Sequence, residues 1–228
     1  MRIYFFKLKR DRFISGQSFV ELALTLPVII LLIAGLVEVG FVMYTYLTVL
    51  DQTREAARFA SVRDYRQGLE SGILDPSTTC QDRNLDYYYD TACFFIDPDL
   101  NPYITFQNSN LDDVAISVFT VNDNHVSNRW PNDSDHVWSL FNDNWTKDCN
   151  GNVVQTEPFM TDDDIEHLFV TDAPADRGLV LVEGYYCYHL LLNLPIVDQI
   201  IPSPFRIHAY TIMPAGEAIP TPTPIPPP

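Results

Sequence analysis

Between Leu22 and Leu50 the chain runs 29 residues with a single charged side chain, Glu38. At about 1.5 Å per helical residue this stretch reaches roughly 43 Å, enough to cross a bilayer. A core helix of a soluble protein would need a domain large enough to surround it, and the polar, acidic remainder offers no such shell. A secretory signal has about 7–15 apolar residues followed by a small-residue cleavage site. This run is longer and lacks that site, so it is read as a membrane-spanning helix.

Charge supplies the orientation. The 228 residues carry 14 basic and 30 acidic side chains, a net charge of -16, which excludes a basic nucleic-acid binder. Residues 1–16 hold Arg2, Lys7, Lys9, Arg10 and Arg12 against Asp11, a net +4, and the remainder carries -20. Basic flanks stay in the cytoplasm. The expected location is therefore the cell membrane, single-pass, with a cytoplasmic N-terminus and an extracytoplasmic acidic domain.

Four segments follow: a basic leader (1–16), a continuous helix that is first transmembrane and then amphipathic (17–67), an extracytoplasmic α+β domain (68–213) and a proline-rich tail (214–228). Beyond the apolar run, Arg54, Glu55, Arg58, Arg63 and Arg66 stand among alanines, and Glu55 with Arg58 has i,i+3 spacing. Leu47, Leu50, Arg54, Ala57 and Ser61 trace a heptad-like seam for packing, with Gly68 or Gly72 as the stop. Strands are expected at 114–121, within 178–192 and at 205–213, forming a small antiparallel sheet on which the long helix packs. The Asn/Asp-rich region 122–164 is expected to hold short helices pinned by Trp130, Trp138 and Trp145. Seven of the 17 prolines fall in the tail, which reads as polyproline II spacer or disorder.

The boundary of the apolar run holds the most informative motif: Gly16-Gln17-Ser18-Phe19-Val20-Glu21, then Leu22-Ala23-Leu24-Thr25-Leu26-Pro27. Gly35-Leu36-Val37-Glu38-Val39-Gly40 and Gln52-Thr53-Arg54-Glu55-Ala56-Ala57-Arg58-Phe59-Ala60 follow. In these three blocks residues 16–61 resemble the TadE-like proteins of tight-adherence (Flp-type) pilus systems. The resemblance implies a pilin-like fold, cleavage by a prepilin peptidase between Gly16 and Gln17, and partners among other pilins or pilus assembly proteins, with the membrane or the pilus as the location. It also implies that Glu21 pairs with the new amine of a neighbouring subunit, which removes the cost of an unpaired carboxylate in the membrane. The alternative at this site is an uncleaved signal anchor with an interfacial Glu21. Gly35 and Gly40 flank Glu38 and permit close approach of another helix, so Glu38 is expected to pack within an assembly, the alternative being a residue near the interface. Pro27 is expected to bend the helix.

Cys80, Cys93, Cys149 and Cys187 all lie beyond the membrane helix and point to two disulfides. Three connectivities exist. The 13-residue separation favours Cys80 with Cys93, leaving Cys149 with Cys187. No C-x-x-C pair suggests zinc or redox chemistry. Thr146, Asp148, Asn150, Gly151, Asn152 and Glu157 occupy positions of an EF-hand-like count, so calcium is the one cation the pattern suggests. Against it stand Thr at the first position and Cys149 inside the loop, and no cofactor is the main expectation. Asp162-Asp163-Asp164 reads as a helix start, and Asn132-Asp133-Ser134 and Asn144-Trp145-Thr146 as chance glycosylation sequons. His125, His136, His167, His189 and His208 form no H-E-x-x-H motif, and no G-x-S-x-G or phosphate loop is present. The chain is therefore not read as an enzyme.

The expected function is that of a minor pilin or pseudopilin in tight-adherence pilus assembly and surface attachment. The alternative is a signal-anchored extracytoplasmic binding module, calcium-stabilised and outside any filament.

Overall fold

Val114, Ile116 and Val118 alternate with Ser117, Phe119 and Val121, a period of two with both sets apolar enough to be buried. In the computed structural model, which describes residues 14–66, 80, 86–131, 136–168, 177–192 and 202–219, this segment is β1 (Asp113–Asn122), the centre of the fold. β1 pairs antiparallel with β2 (His125–Trp130) through a two-residue turn whose Asp123 and Asn124 hold φ of 52° and 64°. It also pairs with β3 (Trp138–Ser139) and with β4 (Arg177–Tyr188), and β5 (Phe205–Pro214) lies on the far side of β4. The sheet thus has five strands, where three were expected. β2 was not anticipated because it exposes His125, Ser127 and Asn128, and β3 spans only two residues.

One face of the sheet receives the C-terminal half of α1 (Ile14–Ser61) and the short helix α2 (Tyr87–Ile96). α2 is started by Asp86, whose Oδ1 accepts from the N–H groups of Tyr88 and Tyr89. The buried side of α1 is Thr45, Val49, Gln52, Thr53, Ala56, Ala57 and Ala60. This corrects the expected seam, since Leu47 and Arg54 are exposed. Small residues bring the helix close to the sheet, and two of the three polar ones are bonded to it or to its loops: Gln52 Nε2 donates to the Ile104 carbonyl at 2.8 Å, and the Thr53 and Thr211 hydroxyls lie 2.9 Å apart. Gly184 of β4 sits under this contact, where an added Cβ would come within 3.1 Å of Val49 and of Phe95.

α1 runs unbroken through Pro27 and ends at Ser61, ahead of the expected stop. Arg63 there pairs with Asp90 of α2 at 2.9 Å, and Tyr65 turns into the core, so tertiary contacts end the helix. The tail is also partly folded. Pro214 pairs with Leu179, the Ala215 N–H donates to the Gly178 carbonyl, and Ala215 and Ala218 are buried. Residues 1–13, Gly68, Gly72, the Asn132 sequon and residues 220–228 lie outside the described residues.

The opposite face is covered by the Asn/Asp-rich region. Asp113 organises it: its carboxylate accepts from the N–H groups of Val114, Phe141 and Trp145 and from the Ser139 hydroxyl, at 2.7–3.0 Å. Trp145 is buried in a 3-10 turn, whereas Trp130 and Trp138 stand on β2 and β3 rather than on short helices. Arg129 donates to the carbonyls of His136 and Met160, to Ser117 and to Asp162, the first residue of α3 (Asp162–His167). Thr161 and Asp164 form a reciprocal cap on α3. The architecture is α+β, a long N-terminal helix on an antiparallel sheet.

Candidate functional site

A change of environment divides α1 in two. From Ser18 to Val37 every residue is exposed except Ala34 and Gly35, which are half-buried, and the exposed set is almost wholly apolar. Leu, Ile and Val side chains in water are unfavourable by about 25 cal/mol per Å². The stretch Phe19–Val37 is about 28 Å long by helix geometry, close to the roughly 30 Å hydrocarbon thickness of a bilayer. It is a candidate for a single membrane span, and it ends at Glu38.

Glu38 is only 4% exposed. Its Oε1 accepts from the Tyr188 hydroxyl at 3.1 Å and from the Leu191 N–H at 2.9 Å, and its Oε2 accepts from the Leu192 N–H at 3.0 Å. The carboxylate thereby ties the end of the bare helix to the turn that leaves β4. Burial, and then the neighbouring Glu38, pushes the Tyr188 phenol up to about 12, so it stays a donor throughout ordinary pH. Beside the helix–helix role expected for Glu38, the structure shows an intrachain one: three donors of its own chain reach both oxygens. No local signal marks these partners, because they lie 150 residues or more along the chain.

The match to known families falls on this same helix. Residues 16–58 match the family model described as TadE-like protein. That TadE-like segment contains the bare half of α1, Glu38 and nearly all of the docked half, and it stops short of the sheet. No curated protein and no solved structure matches the chain significantly.

α1 begins at Ile14, two residues ahead of that segment, so the Gly16–Gln17 peptide lies in its first turn. Glu21 is exposed one turn further on, and the Thr25 hydroxyl donates to its backbone carbonyl. A Cβ placed on Gly35 or Gly40 meets nothing within 4 Å.

Outside that segment, the disulfides are Cys80–Cys93, holding α2, and Cys149–Cys187, holding the Asn/Asp-rich region to the end of β4; both have Cα separations of 5.6 Å. The calcium-like count is only partly gathered. Asp148 Oδ1 accepts from the N–H groups of Asn150 and Asn152, and the Asn152 amide reaches the same carboxylate, so the loop closes on itself. These bonds hold the Asp148 carboxyl below its ordinary value. Glu157 instead lines a cavity of about 480 Å³ with Arg129, His136, Asp162 and Asp163. Among the described residues no three His, Cys, Asp or Glu side chains converge as metal ligands. Asn144 is buried and donates to Asn108, which removes it as an accessible sequon. A polar cluster that no sequence motif marks joins Glu183 to the Tyr185 hydroxyl at 2.6 Å and to His208 at 2.9 Å under the ring of Phe159.

Proposed function

We propose that this chain is a TadE-like minor pilin or pseudopilin that acts in tight-adherence pilus assembly and surface attachment. The supporting observation is the coincidence of the TadE-like segment with a helix that is bare and apolar over one bilayer thickness and then docks on its own sheet. In this reading α1 crosses the membrane once, the +4 leader stays cytoplasmic and the -20 portion lies outside. A prepilin peptidase cuts between Gly16 and Gln17. Glu21 then lies within one turn of the new ammonium, where a carboxylate favours the helix N-terminus and meets the amine of a neighbouring subunit.

The role is structural and calls for no cofactor. In the proposed assembly Glu21 pairs with the neighbouring amine, and Glu38, which also ties α1 to the turn after β4, lies where Gly35 and Gly40 allow a neighbouring helix to approach. The test is Glu21→Ala in the native host, followed by shearing of surface filaments. The reading predicts loss of the chain from the sheared fraction with normal membrane levels. Undiminished release with the filaments would overturn it.

A further inference from the structure

The turn that Glu38 grips has a second property. Leu190 is buried with Tyr188 and Ile207, and Val42 of α1 packs on the same cluster. Leu191 and Leu192, next in sequence, are 60% and 38% exposed. Their two N–H groups both point to the Glu38 carboxylate, so their side chains stand beside α1 where the bare stretch ends. Helical side chains lean toward the N-terminus, which carries the Glu38 carboxylate toward the preceding turn. Ala34 and Gly35, the two small residues on that turn, are half-buried.

We propose that the Leu190–Leu192 turn is a membrane seat: Leu191 and Leu192 enter the outer lipid leaflet beside α1, and the ectodomain rests on the bilayer surface. The inference rests on the reading of α1 as a membrane span. Lipid is favoured as the occupant because the leucines continue the apolar surface of the helix at the height where about 28 Å of bare helix has been used. Exposed Phe41 and Tyr44 lie on the next turns of α1, and Tyr103 sits edge-on to Tyr44 at 6.4 Å, the aromatic side chains that favour the membrane–water boundary. The seat also accounts for Glu38. A carboxylate at the lipid boundary is costly when unpaired, and here its three donors are carried into place by the same turn that inserts the leucines.

The test uses the full-length oxidised chain, whose described cysteines are all in disulfides, with one added cysteine labelled by an environment-sensitive fluorophore. The chain is reconstituted in phosphatidylcholine–phosphatidylglycerol vesicles. The variants are Leu191→Cys, Leu192→Cys, Leu32→Cys in the bare helix and Asn128→Cys, an exposed position of β2 opposite Thr120 at the end of the sheet away from Tyr188. Quenching by a nitroxide near the top of the lipid acyl chain is compared with quenching by aqueous iodide. The seat predicts that labels at 191 and 192 lose most of their emission to the lipid nitroxide and little to iodide, with the reverse at 128. Labels at 191 and 192 that follow 128 while 32 remains lipid-quenched would overturn the seat alone. Protection from both quenchers would mean a protein cover and would also overturn it. Iodide access at 32 would remove the membrane span, and the seat with it.

Discussion

Replacing Glu38 with alanine should detach the turn after β4 from α1 without unfolding the sheet. Hydrogen bonds to a charged acceptor contribute about 1.5–3 kcal/mol each, and three are lost. The gross loss is offset by the several kcal/mol that a carboxylate costs on burial, and by water that reaches the freed donors at this partly exposed turn. The net destabilisation is about 2–4 kcal/mol. Glu38→Gln keeps the volume and one acceptor oxygen but turns an NH₂ toward one of the donors, and should cost about 1–2 kcal/mol. The assay is amide hydrogen exchange of the full chain in detergent, read at Leu191 and Leu192, alongside thermal unfolding. Both amides should lose protection in Glu38→Ala and retain it in Glu21→Ala. Unchanged protection in Glu38→Ala, or equal loss in Glu21→Ala, would refute the clamp.

Other perturbations separate the parts of the fold. Gly178→Ala places a Cβ against the Ala215 carbonyl and Ala218, both backbone-anchored, and should destabilise by about 3 kcal/mol or more in equilibrium unfolding. Gly184→Ala meets side-chain atoms alone, of Val49, Phe95 and Phe106, and should cost about 1 kcal/mol. Removing Cys149–Cys187 as a double alanine variant frees a 38-residue separation and should cost about 4 kcal/mol, against about 3 for the 13-residue separation of Cys80–Cys93, by denaturant titration. Burial pushes the Asp112 carboxyl up to about 6 from 3.8, so its neutral form favours the fold. That contribution is complete below pH about 4 and fades as pH rises through about 6, a loss of roughly 3 kcal/mol that should be absent from the pH profile of Asp112→Asn.

Much of this architecture was legible in the sequence where one period dominates. β1, β4 and β5 lie within a residue or two of their expected starts, because alternating β-branched and aromatic residues leave little choice of register. The helix seam was not legible, for a physical reason. In a helix that carries a candidate membrane span, apolarity no longer marks the protein core: Leu47 and Tyr46 face outward while Ala56, Ala57 and Ala60 pack on the sheet. The Asn/Asp-rich cover was equally opaque, since it is held by one buried carboxylate, Asp113, rather than by a periodic face. Glu38 stood out at once as the lone charge in an apolar helix, but its partners are brought to it only by the return of β4.

Mass spectrometry of the chain recovered from sheared native filaments is the sharpest test of α1 as the membrane-crossing, processed helix of a pilus-system subunit. The chain should be present there and begin at Gln17. A chain confined to the membrane fraction, with residues before Gln17 still attached, would contradict it.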